Sequence, residues 1–155
     1  MITQKALRKK REFGFTLVEI IVVIAVAGII VITAAPMVST WMERNRLNGI
    51  ARKISNDLLY CRQKAISENM YYIVDFTSAT PITYTIKKGQ VLGTYTDVQT
   101  ISLPESKDFI TFTASGDPVF NYRGMANGQV TLTISNANND VRTVVVTLGG
   151  KISTS

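Results

Sequence analysis

From Ile20 to Met42 the chain carries 23 consecutive residues without a charge, and one carboxylate, Glu19, stands at the head of that run. About 20 apolar residues suffice for a membrane-spanning helix, so the length is adequate. A helix that is apolar on every side has to be covered by lipid or by other helices. An acid at the centre of such a segment costs about 2.5–3.5 kcal/mol on insertion scales, less near its edge. Two readings of Glu19 follow. Its head reaches the water at the interface, or it is a functional group that calls for a counter-charge.

The residues before the run include Lys5, Arg8, Lys9, Lys10 and Arg11. A secretory signal would begin this way, and Ala25-Val26-Ala27 supplies a small-x-small site. Such signals, however, have a short apolar core of about 7–15 residues followed by a polar cleavage region. Here Ile29, Ile30, Val31 and Ile32 keep the chain apolar beyond Ala27. The segment Gly14-Phe15-Thr16-Leu17-Val18-Glu19-Ile20 instead resembles the processing signal of the type IV prepilin superfamily, which includes type IV pilins and the pseudopilins of type II secretion and competence systems. The resemblance implies cleavage between Gly14 and Phe15 by a prepilin peptidase that also N-methylates Phe15. Glu19 then becomes the fifth mature residue and an assembly determinant. Pro36 is similar to a proline that the family carries inside its apolar helix, and its missing amide hydrogen predicts a kink there.

Removal of residues 1–14 alters the charge. The whole chain is +6, but five bases against Glu12 leave +4 in the leader and +2 in the remainder. The strongly basic balance therefore says little about partners. It does predict topology, since basic residues stay on the cytoplasmic side of a first membrane segment. The N-terminus is expected inside and everything after Met42 outside. Arg44, Arg46, Arg52 and Lys53 weaken that bias from the far side.

Beyond Met42, Leu47, Ile50, Ile54, Leu58, Cys61 and Ala65 recur at spacings of three and four, with Ile66 beside them. That spacing predicts an amphipathic helix, continuous with the apolar one to about Met70 and softened at Gly49. The later residues are rich in Thr, Val, Ile, Tyr and Gly, which suits strands. Strands are expected at 71–76, 82–87, 98–103, 109–113, 119–122, 129–135 and 141–148. Turns are expected at Lys88-Gly89-Gln90, Ser115-Gly116-Asp117-Pro118 and Asn138-Asn139-Asp140. The fold class is α+β, type IV pilin-like by resemblance, with a long N-terminal helix packed through its second half on an antiparallel β-sheet domain. The expected organisation is a leader at 1–14, a transmembrane or filament-core helix at 15–42, an amphipathic half at 43–70 and a β-rich domain at 71–155.

Catalysis finds no support in the residues. Histidine is absent and Cys61 is the only cysteine, so neither a His-based triad nor an internal disulfide can form. Cys61 lies on the apolar stripe, where a small buried hydrophobe is the expectation. Asp75, Asp97, Glu105, Asp108, Asp117 and Asp140 are scattered, and no metal site or cofactor is expected.

In the last third, Val119-Phe120-Asn121-Tyr122-Arg123-Gly124, Gly128-Gln129-Val130-Thr131-Leu132, Arg142-Thr143-Val144-Val145-Val146 and Gly149-Gly150-Lys151-Ile152 are similar to the GspH/FimT group. Cys61-Arg62-Gln63-Lys64-Ala65-Ile66, leading into Tyr72-Ile73-Val74-Asp75-Phe76, resembles that group's helix end. The resemblance implies a minor pseudopilin of a type II secretion pseudopilus. Its partners would be the peptidase and N-methyltransferase and other pilin-type subunits, and its place the inner membrane, single-pass, with the C-terminal domain outside. A minor type IV pilin for pilus priming or DNA uptake is the alternative, in which Arg123, Arg142 and Lys151 would touch DNA. A net charge of +2 and a tail without arginine, Lys151-Ile152-Ser153-Thr154-Ser155, speak against nucleic acid. A third reading is an anchored β domain that never assembles.

Overall fold

The structure is a computed structural model that describes residues 15–77, 81–103 and 110–155, without the side chains of 33–37 and 110. The leader with Gly14, and Phe109 at the start of an expected strand, lie outside the described residues. Among the described residues one helix, α1 (Leu17–Glu68), precedes eight strands. These are β1 (Tyr71–Thr77), β2 (Ile82–Val91), β3 (Thr94–Leu103), β4 (Ile110–Ala114), β5 (Val119–Phe120), β6 (Val130–Asn136), β7 (Val141–Val146) and β8 (Ile152–Thr154). The chain divides into two compact units between Ser39 and Thr40, and α1 contributes to both.

In the first unit every described large hydrophobic from Leu17 to Ile32 is exposed. The backbone is helical through Pro36. The side chain of Pro36, on which the expected kink turns, lies outside the described residues.

In the second unit the predicted stripe is the core of the domain. Leu47, Ile54, Leu58, Cys61 and Ala65 are fully buried and Ile50 nearly so, joined by Ala51. Ile66 departs from them and is 49% exposed. The helix ends where Asn69 turns left-handed at φ 54° and the Met70 amide donates to the Ala65 carbonyl at 3.2 Å. That is the usual way to satisfy a helix's last carbonyls.

The described strands form two antiparallel sheets of four, ordered β3-β2-β1-β5 and β4-β6-β7-β8. Both contribute to one apolar cluster with the stripe. Tyr72, Val74, Ile82, Tyr84 and Ile86 come from the first sheet, and Leu132, Ile134, Val144 and Val146 from the second. In β6 the buried Val130, Leu132 and Ile134 alternate with half-buried Thr131 and Thr133, as period two requires. Asn138-Asn139-Asp140 makes the expected turn, with Asn139 at φ 61°.

Several boundaries differ from expectation: β3 begins at Thr94 rather than Val98 and β5 ends at Phe120 rather than Tyr122. Lys88-Gly89-Gln90 is strand, not turn: Gly89 pairs with Tyr71, and the reversal comes later, around Gly93 at φ 93°. The glycine at 89 is needed because a Cβ there would lie 1.9 Å from the Thr94 carbonyl oxygen. At the other end, β7 stops at Val146 rather than Leu148, which is exposed. The Gly150 amide donates to the Thr147 carbonyl at 2.8 Å, closing a turn that feeds β8, a strand the composition did not announce.

Gly150 sits at φ 72°, and a Cβ on it would fall 1.9 Å from the Gly124 carbonyl oxygen. Strain in the left-handed region adds to that clash. Gly150→Ala is expected to destabilise the domain by about 1–3 kcal/mol, read as a lowered denaturant midpoint. An unchanged midpoint would mean that the two turns do not meet as described.

Candidate functional site

The start of α1 is built by four residues. Thr16 precedes the helix; its carbonyl accepts the Ile20 amide at 3.3 Å and its hydroxyl oxygen accepts the Glu19 amide at 3.2 Å. This is one half of a capping box, in which Thr16 is the cap and Glu19 the third helical residue. The Thr-x-x-Glu spacing was visible in the sequence, and reading Glu19 only as a membrane acid missed it. A carboxylate in the first turn also meets the positive end of the helix dipole. Glu19 is exposed and Phe15 is 80% exposed, so both groups are accessible at this terminus. Gly14, the other half of the expected cleavage site, lies outside the described residues.

Behind this cap follows an exposed apolar surface, from Leu17 to Ile32. Among the described residues no helix is long and apolar enough to cross a membrane. The stretch described with its side chains, Leu17 to Ile32, holds 16 residues of the longer apolar run.

Polar contacts fasten the second unit at both ends of its helix. At the first end, Arg44 donates to Asp140 at 3.2 Å, Arg142 donates to Asn48 at 2.6 Å, and the Asn138 amide donates to the Glu43 carboxylate. The Asn136 amide and then the Arg44 guanidinium hold the Asp140 carboxyl below its ordinary range. At the far end, Glu68 accepts from the Tyr72 hydroxyl at 2.7 Å, Lys64 at 3.1 Å and Lys88 at 3.2 Å. Those bonds, Tyr72 first, bring its carboxyl down to about 2. Between the ends, the Arg62 guanidinium donates to the Gly124 carbonyl at 3.0 Å, the same oxygen that Gly150 approaches.

Of the three residues that the DNA alternative names, two lie beside the paired glycines and the third near the start of β7. Arg123 lies over the Tyr122 ring at 5.5 Å and Lys151 is exposed, each next to one of the paired glycines, Gly124 and Gly150. Arg142 is engaged with Asn48 near the start of β7, while Lys151 precedes Ile152, the partner of Val146 at the strand's end. Four residues of strand separate those positions, about 13 Å. Cys61 is buried, and burial, followed by the nearby Asp57 charge, pushes its thiol up to about 12, so it stays protonated. Among the described residues no group of three His, Cys, Asp or Glu is placed to hold a metal.

Residues 9–35 match the family described as the prokaryotic N-terminal methylation motif. No curated protein matches the sequence. Among solved structures, the type IV minor pilin FimU of Pseudomonas aeruginosa is similar at 16% identity and a TM-score of 0.59, over 74% of this chain and 92% of that one. The minor pseudopilin EpsH from the type 2 secretion system of Vibrio cholerae is similar at 14% identity and a TM-score of 0.59, over 71% of this chain and 96% of that one. A second crystal structure of EpsH gives 11% identity and a TM-score of 0.59, over 72% and 96%. The chain thus joins a prokaryotic N-terminal methylation motif to a fold like that of these minor pilin and minor pseudopilin structures.

The Glu68 arrangement predicts acid sensitivity. A carboxyl held at about 2 when folded and near 4.5 otherwise contributes stability that is fully present above the higher value. That contribution is lost as pH falls from about 4.5 to about 2. Glu68→Gln should lower the melting temperature at neutral pH and flatten its decline over that window. Parallel wild-type and variant curves would contradict the assignment.

Proposed function

We propose that this chain is a minor pseudopilin, cut between Gly14 and Phe15, N-methylated on Phe15, held in the inner membrane by the 20–42 segment and assembled into a type II secretion pseudopilus. It would act as a structural subunit, not an enzyme, with its C-terminal domain on the outer side of that membrane. The observation that carries this reading is the exposed apolar helix behind Glu19, continuous in sequence with a domain that has a buried core of its own. Soluble monomers rarely leave a contiguous apolar surface of that extent. Lipid can cover it before assembly and neighbouring helices afterwards. Lipid-immersed helices gain little from apolar contact alone, so the charge on Glu19, offered to the Phe15 amine of a neighbour, supplies register. Pairing offsets part of the cost of burying either charge.

A type IV minor pilin stands as the second reading, favoured by a likeness to FimU equal to that to EpsH. Deleting the gene in the native cell separates them: lost exoprotein secretion supports the first, lost pili or DNA uptake the second. For a DNA-binding role, Arg123, Arg142 and Lys151 would have to produce a steeply salt-dependent gel shift.

The N-terminus decides the class. Co-expression with a prepilin peptidase should yield a chain that starts at methylated Phe15 in mass spectrometry; retention of Met1, or a start at Gly28, would sink the proposal. Glu19→Gln is the informative variant, because glutamine also serves at that capping-box position but carries no charge. It should be processed normally yet lose most helix-to-helix cross-links between subunits. Undiminished cross-linking would leave the acid with its capping role alone.

A further inference from the structure

Where the end of α1 meets two turns, five large hydrophobic side chains of the second unit are 39–60% exposed. Leu59 and Ile66 come from the helix, seven residues or about two turns apart and so on one face. Tyr122 and Met125 come from the turn between β5 and β6, and Leu148 from the turn between β7 and β8. Ile66 reaches Gly124, where an added Cβ would lie 2.7 Å from its Cδ1. The Ala126 amide donates to the Leu148 carbonyl at 3.0 Å, which joins the two turns. Arg62, Arg123 and Lys151 stand at the same corner, Arg62 through its bond to the Gly124 carbonyl.

The turn that presents Tyr122 and Met125 is firmly tied. The Asn121 side-chain oxygen accepts the amides of Arg123 at 2.9 Å and Met125 at 3.1 Å. The Asn121 carbonyl accepts the Gly124 amide at 2.8 Å, and its amide donates to the Met125 carbonyl at 2.9 Å. The Tyr122 ring meets Tyr71 edge-on, with centroids 6.4 Å apart, and carries Arg123 at 5.5 Å. Side chains fixed beforehand lose little freedom when a partner binds, and Tyr, Met and Arg are enriched at protein interfaces. The chain on either side of residues 78–80 and 104–109 lies elsewhere. Thr77, Ile82 and Leu103 stand at the other end of the first sheet, about 17 Å along β1 from the Tyr72–Phe120 pair. Ile110 pairs with Asn136, at the end of β6 away from these turns.

We propose that this corner docks an acidic, aliphatic segment of a different subunit of the same filament. The segment's carboxylates pair with Arg123 and Lys151, and its apolar side chains cover Ile66, Met125 and Leu148. The inference deepens the filament-subunit reading and rests on it. Charge selects the occupant. Glu68 and Asp117, the acids nearest in sequence to Ile66 and Tyr122, are engaged with Tyr72, Lys64 and Lys88 and with the Phe76 amide. Glu43, Asp57, Asp75 and Asp140 are bonded within the chain as well, so a second copy has few carboxylates to bring. A nucleic acid would use the cations but leave the aliphatic side chains wet. Lipid is out of reach: Ile66 stands 24 residues beyond Met42, about 36 Å along the helix, and the headgroup layer is about 5–7 Å deep.

The test places the photo-cross-linker benzoylphenylalanine at Met125 of the full chain in its native cell, with Thr113, exposed on the other sheet, as the control position. The yield at Met125 should exceed that at Thr113 by about tenfold, and mass spectrometry should find carboxylates beside aliphatic residues in the captured segment. Removing central interface contacts costs about tenfold or more in affinity. Arg123→Glu with Lys151→Glu should therefore lower the yield by about that factor without moving the melting temperature. Changing the captured segment's acids to lysine should then restore it, which incidental proximity would not do. Equal yields at the two positions, or a yield indifferent to charge reversal, would overturn the proposal. So would failure of the restoring change, capture of a second copy of this chain, or a nuclease-sensitive product. A chain that starts at Phe15 and cross-links through its N-terminal helix, but not at Met125, overturns the docking corner alone. One that keeps Met1 and cross-links at neither place overturns the filament reading with it.

Discussion

Leu47, Ile50, Ile54, Leu58, Cys61 and Ala65 form the surface that residues of both sheets share in one core. Burying a large aliphatic side chain is worth about 1.5–3 kcal/mol, and truncating one to alanine costs about 2–5 kcal/mol. An exposed ion pair contributes about 0–1 kcal/mol. The stripe therefore holds the domain together, and the bonds at Glu43, Arg44, Asn48, Arg62 and Glu68 orient what the stripe has already gathered. Within α1 the change from apolar on all sides to apolar on one is a change of surroundings without a change of secondary structure.

That change was legible because it is periodic. Spacings of three and four placed the stripe correctly residue by residue, and the alternation of Val130, Leu132 and Ile134 with threonines placed the buried face of β6. Ile66 was grouped with the stripe by adjacency alone; it lies beyond the helical spacing and packs over Gly124 at the surface. The end of β7 was misjudged because Thr147 and Leu148 continue the alternation, while the turn closed by Gly150 interrupts the ladder. Lys88-Gly89-Gln90 resembled a turn because glycine marks turns and close approaches alike, and only the pairing of β2 with β3 tells which one applies.

Contacts between distant side chains were beyond the reach of periodicity. Arg44 and Asp140 are 96 residues apart, and Arg142 and Asn48 are 94 apart. Nothing local marks such partners, so Arg142 read as a free surface cation until the hairpin of β6 and β7 placed it beside the helix. The capping role of Glu19 is the opposite case. It was written in the four residues Thr16-Leu17-Val18-Glu19 and obscured by the louder signal of an acid beside an apolar run. The two roles are compatible, since the cap uses the backbone amide of Glu19 and leaves its carboxylate exposed.

The order in which these parts leave the ribosome has a consequence. The stripe ends at Ala65, before any strand that covers it, and the buried Val144 and Val146 belong to the last third of the chain. Ser55, in the middle of the helix, is hydrogen-bonded to Thr154 at 2.7 Å. A nascent chain must therefore carry a sticky helical face until nearly its whole length has been delivered. Exposed apolar surface in unfinished chains invites aggregation, so whatever keeps that face from the wrong neighbours has to act until synthesis is almost over.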